Sequence, residues 1–64
     1  DPTAKARAND VVSQLSAAVA NYEAQAAKAD AAGNVKKAGE LREAATARRA
    51  WLAEAEKGLS EFTN

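Results

Sequence analysis

The chain has 64 residues, nine acidic and nine basic side chains, and neither Cys nor His. That composition excludes disulfides and Cys/His zinc sites, lacks the basic excess of a typical nucleic-acid binder, and contains no apolar run near the ~20 residues of a membrane span. A chain this short buries only about 60% of its unfolded surface, so self-association or a partner is the remaining aid to stability.

Asp1-Pro2 reads as an N-cap followed by Pro at the first helical position. A first helix is expected from about Pro2 to Ala31 or Ala32. Gly33-Asn34 is the dominant break: Gly is preferred just past a helix end and Asn is a good N-cap. A second helix is expected from Val35 to about Lys57, or to Glu61 if Gly58 is tolerated inside it. The alternative is that Gly58 caps the helix and Leu59 folds back. The chain is thus expected to be one helical-hairpin domain over residues 1–64. It starts at Asp1 and contains no Met, so the start of the gene product is not expected to be in view. Compartment stays open, with a cytoplasmic setting slightly favoured over a secreted one.

The apolar pattern supports this. Of thirty hydrophobic residues nineteen are Ala, which contribute helix propensity and close helix approach more than buried area. Ala8, Val12, Leu15, Val19, Tyr22, Ala26 and Ala29 step by alternating four and three. Ala38, Leu41, Ala45, Arg48, Leu52, Ala55, Leu59 and Phe62 do so by three and four. That is a heptad seam of left-handed coiled-coil type, with no period-two alternation to suggest strands. The two seams mirror each other about the turn, pairing residues whose numbers sum to 67: Ala29 with Ala38, Ala26 with Leu41, Tyr22 with Ala45, Val19 with Arg48, Leu15 with Leu52, Val12 with Ala55 and Ala8 with Leu59. Large mostly faces small, as interdigitation requires. The expected fold is an all-α antiparallel two-helix hairpin, coiled-coil-like and open to completion as a bundle by self-association or a partner. Arg48 breaks the seam, either as a stem with a snorkelling guanidinium or as a polar specifier of register.

A second apolar stripe lies beside the seam: Val11 and Ala18 on one helix, Ala44, Ala47 and Trp51 on the other. A two-helix hairpin cannot cover both stripes. Trp51 is the expected anchor of a partner surface, since a lone large aromatic off the seam is the commonest interface hot spot. Its alternative is to pack over its own hairpin. Arg48 and Arg49 are expected at the rim. The basic side chains Lys36, Lys37, Arg42, Arg48 and Arg49 crowd the first half of the second helix. They read as a solvated face with partners such as Glu40 for Lys36 or Lys37, or as a modest site for an acidic protein surface or a phosphate backbone.

The parts of a catalytic site are missing. No imidazole or thiolate is available, Ser13, Ser16 and Ser60 have no base at helical spacing, and Lys28 sits on an exposed face without a desolvating pocket. Glu40 with Glu43, or Glu54 with Glu61, lack the His and the further helices of a di-metal bundle site. No cofactor, metal or small-molecule substrate is expected.

The stretch Ala32-Gly33-Asn34-Val35-Lys36-Lys37-Ala38-Gly39-Glu40-Leu41-Arg42-Glu43 resembles the UVR motif of excision-repair and Clp-associated proteins, a hairpin that binds partner hairpins. Val35, Ala38, Leu41, Arg42 and Glu43 carry that likeness, with Val35 in place of the usual aromatic and Gly39 in place of the second Ala. Gly33, Ala38 and Ala45 are similar to a tetratricopeptide repeat, whose helices are about half as long. Both resemblances imply protein–protein binding. The expected function is a non-enzymatic helical-hairpin interaction or oligomerisation module, an accessory subunit of a larger assembly. The alternatives are a small nucleic-acid-associated hairpin regulator using the basic face, and a secreted or surface helical protein binding a host factor.

Overall fold

The computed structural model describes residues 2–62 and consists of two helices, α1 (Pro2–Ala31) and α2 (Val35–Ser60), packed as an antiparallel hairpin. The capping role expected of Asp1 lies outside the described residues. Lys28 in the last turn of α1 and Lys57 in the last turn of α2 complement the helix dipoles.

The turn follows from its two residues. Gly33 adopts φ +79°, the left-handed region open to Gly. Asn34 N–H then donates to Ala29 C=O at 2.8 Å and Gly33 N–H to Asp30 C=O at 3.0 Å, the paired bonds of a Schellman C-cap. Asn34 also begins the next helix. Its side-chain oxygen accepts from Lys37 N–H at 3.2 Å, and its carbonyl takes the first helical bond of α2, from Ala38 N–H at 3.1 Å. One residue thereby closes α1 and caps α2, which is why the reversal is so short.

Gly58 does not stop α2. The helix runs through it to Ser60 and tightens into i→i+3 bonds, from Glu61 N–H to Gly58 C=O at 3.2 Å and from Phe62 N–H to Leu59 C=O at 3.0 Å.

The seam positions turn inwards. All fourteen residues of the seven seam pairs are buried or half-buried, while Phe62 is exposed. Burial is unequal along the seam, however. The buried side chains among the described residues are Val19, Ala26, Ala38, Leu41 and Ala45, all in the half nearer the turn. Leu15, Leu52, Ala55 and Leu59 towards the open end are only half-buried. Small Ala26, Ala38 and Ala45 let the backbones approach where the turn already holds them together. Further out, the same two-layer arrangement has nothing above or below to complete it.

The shape records this. A chain of 6.6 kDa exposes 4556 Å², against roughly 3,900 Å² for a globular monomer of that mass. Its radius of gyration is 14.7 Å, against about 11 Å for a compact domain of this length. The hairpin is a rod of 48 × 14 × 12 Å, and no described helix is long and apolar enough to cross a membrane.

Candidate interaction surface

In an antiparallel pair of helices two edges flank the seam, and here they differ in chemistry. The first carries Asn9, Ser16, Glu23 and Asp30 on α1 with Arg42, Arg49 and Glu56 on α2, all exposed. Two ion pairs bridge the helices on this edge, Arg42 with Asp30 and Arg49 with Glu23. Both sets of residue numbers sum to 72, one heptad apart, so a single register places both. With side chains 42–56% exposed, such pairs contribute about 0.2–1 kcal/mol each. They fix alignment more than they stabilise. A groove of about 340 Å³ lies between them, floored by Ala26, Ala27 and Ala45.

The opposite edge holds Ala4, Val11 and Ala18 on α1 and Ala44, Trp51 and Gly58 on α2. Outside the seam, the only described residues that are not exposed are Ala4, Ala18, Ala44 and Gly58. The helices therefore partly cover the small residues of this edge, while the two large ones stand clear: Val11 is 48% and Trp51 58% exposed. At the open end the edge widens into an apolar groove of about 370 Å³ lined by Ala8, Val11, Ala55, Gly58, Leu59, Glu61 and Phe62. Phe62 itself is 44% exposed. Towards the turn, Gln25 and Lys37 close the edge with polar side chains.

Arg48 joins the edge to the seam. Its guanidinium carbon lies 5.6 Å from the centre of the Tyr22 ring and 4.8 Å from that of Trp51. The charge is thus held against two aromatic faces, one from each helix. Such contacts contribute about 0.5–1 kcal/mol each at partly exposed sites. The consequence is positional: Trp51 is exposed to solvent but leans on a side chain that is itself seated on α1.

Of the stripe read from the sequence, Val11, Ala18, Ala44 and Trp51 fall on this one edge. Ala47 lies just outside it and is exposed, and Arg48 lies just inside it and is half-buried. Arg49 is not a rim residue of this surface, because its position faces the opposite edge, where Glu23 holds it. The basic cluster disperses in three dimensions. Arg42 and Arg49 are paired across the helices, Arg48 is stacked on aromatics, and Lys36 and Lys37 stand at the start of α2. The expected pairing of Glu40 with either lysine is not formed; both ion pairs among the described residues run between helices. Sequence reasoning missed those pairs, which join residues lying five positions off the sum of 67 that relates the seam residues. It also left Gly58, Leu59 and Phe62 out of the surface.

No protein-family model, curated protein or solved structure matches this chain.

Proposed function

We propose that the chain is a non-catalytic helical-hairpin module for protein–protein interaction or oligomerisation, an accessory piece of a larger assembly, with the Trp51 edge as its contact surface. The observation that carries this reading is the inequality of the edges. One is polar but for Val35 at the start of α2 and is bridged by two ion pairs, while the other presents Val11, Trp51 and Phe62 to solvent around small residues that permit close approach. A large aromatic beside an apolar groove is the typical anchor of an interface, and its contact with Arg48 lowers the entropy lost when a partner fixes it. Extended surface relative to mass adds to the same reading. A nucleic-acid role draws little support, since the basic side chains point to different faces and two of the five are already paired.

The test compares the wild type with Trp51→Ala in two settings: sedimentation equilibrium of the chain alone, and capture by the immobilised chain from an extract of its source cells. Association in at least one setting is expected, and its loss in the variant with the helical CD signal intact. Tryptophan emission should move to the blue on association. An edge that neither self-associates nor captures, or a variant that associates as the wild type does, refutes the reading.

A further inference from the structure

Resting on that reading of the Trp51 edge, we infer that its occupant is a second copy of this chain, laid face to face and turn over turn about a two-fold axis parallel to the helices, giving a four-helix bundle.

The argument comes from the charges that border the edge. One step further out, about 40° around each helix at 100° per residue, every seventh residue forms a rail. On α1 that rail is Arg7, Gln14, Asn21 and Lys28; on α2 it is Glu40, Ala47, Glu54 and Glu61. The first is basic and the second acidic. All five of these charged side chains are exposed, and none takes part in an ion pair among the described residues. On the other edge, by contrast, four of the five charged side chains are paired within the hairpin, Arg42 with Asp30 and Arg49 with Glu23.

A two-fold axis along the rod places α1 of each copy over α2 of the other with the turns together. In the hairpin's antiparallel register Lys28 stands at the level of Glu40, and Arg7 at a level between Glu54 and Glu61. Each basic rail then meets an acidic rail, twice over by symmetry, as an isologous interface requires. Trp51 of each copy comes to the level of Ala18 of the other, and Val11 to that of Gly58, so that small residues lie opposite the two large ones. The other face-to-face arrangement, turn over open end, sets α1 on α1. It brings Arg7 to Lys28 and Glu40 to the level of Glu54 and Glu61, so that like charges oppose. Charge pattern thus selects one orientation.

Area is sufficient only for a full-length contact. A face of 48 × 14 Å has a projected area of roughly 670 Å². Two such faces give about 1,300 Å², the lower end of stable interfaces. A second copy covers the whole face, including the open-end groove by Phe62.

Sedimentation equilibrium of the wild type should give twice the 6.6 kDa chain mass. Two rail variants make the test specific. Arg7→Glu with Lys28→Glu leaves both rails acidic; Glu40→Lys, Glu54→Lys and Glu61→Lys together leave both basic. Each variant alone should self-associate at least about tenfold more weakly than the wild type, and an equimolar mixture of the two should recover the dimer as a heterodimer. Recovery on mixing also demonstrates that both variants fold. Spin labels on Lys36→Cys should lie well under the 48 Å rod length apart in the dimer. A wild type that stays monomeric at high concentration overturns the inference, as does undiminished dimerisation of the single-rail variants, or a label separation near the rod length. A monomer that still captures a different protein through Trp51 overturns the second copy and leaves the interaction reading standing. Loss of both removes both.

Discussion

Leu41→Ala and Leu52→Ala form a matched pair that probes the gradient of burial along the seam. Leu41 is 9% exposed and faces Ala26, so truncation removes three buried carbon groups with no larger neighbour to collapse on the gap. At about 0.8 kcal/mol per group that is ~2.4 kcal/mol, within the usual range for buried Leu→Ala changes. Leu52 occupies the same kind of seam position but is half-buried in the open half, which halves the loss to ~1.2 kcal/mol. Unfolding entropy near 2.1 cal/mol/K per residue gives about 0.13 kcal/mol/K for 64 residues. The expected drops in Tm are therefore ~18 °C for Leu41→Ala and ~9 °C for Leu52→Ala. Far-UV CD melts in dilute solution, below any self-association, read both. Equal drops, or a larger one for Leu52→Ala, would mean that the open half is as well packed as the turn half, and the burial gradient would be wrong.

Other substitutions isolate single contributions. Gly33→Val should lower the melt by more than the ~1–2 kcal/mol cost of a left-handed backbone at an ordinary L residue, while Gly33→Asn is tolerated; nothing lies within 4 Å of a Cβ there, so the penalty is one of backbone alone. Gly39→Ala, inside α2 with open space around it and no positive φ, should raise stability by ~0.5–1 kcal/mol in the same melts. Asn34→Ala removes the cap on Lys37 N–H and should cost ~1 kcal/mol, whereas Arg49→Ala should cost under ~1 kcal/mol and only at low salt. Arg48→Ala should leave the fold in place but change tryptophan emission and free the ring, measurable as faster fluorescence depolarisation; an unchanged Trp51 signal would argue against the stacked arrangement.

The hairpin was legible because two independent signals coincide. Gly33-Asn34 is the strongest helix break in the chain, and the heptads on either side are symmetric about it, so chain reversal and seam register predict each other. Position of the second stripe was legible for the same geometric reason: Val11, Ala18, Ala44 and Trp51 recur at seven-residue spacing. What sequence alone did not yield was the difference between the two edges. Arg42, Arg48 and Arg49 are near neighbours in sequence and read as one basic patch. Around a helix Arg42 and Arg49 face one edge, whereas Arg48 falls on the seam. Their partners Asp30, Glu23 and Tyr22 are on the other helix, so only a chain already folded in register reveals that these charges are spent internally. Arg48 was harder still. A guanidinium on a seam has several low-energy outlets, and its choice of two ring faces depends on where Trp51 settles, a matter of local packing that no periodicity encodes. Gly58 was ambiguous because an isolated Gly both caps and merely weakens helices; the half-buried Leu59 just beyond it favours continuing α2.

The gradient of burial and the inequality of edges have a common origin in residue size. Near the turn half of the seam is Ala, and helices of 30 and 26 residues joined by one tight cap close over Val19 and Leu41. Towards the open end Leu15, Leu52 and Leu59 are only half-buried, and Val11 and Trp51 beside them stand in water. A two-layer structure cannot cover leucines on both sides, because each helix shields only the face turned to the other. The turn half therefore holds the best-buried part of the seam, and the open half carries apolar surface that the hairpin leaves in solvent. The proposed occupant of the Trp51 edge would add to stability as well as to assembly, since binding to the folded form alone stabilises it by RT ln(1 + [L]/Kd). The melting temperature should accordingly rise with the concentration of the occupant, and Leu52→Ala should grow more costly relative to Leu41→Ala as that occupant is added, because only the open half changes its burial.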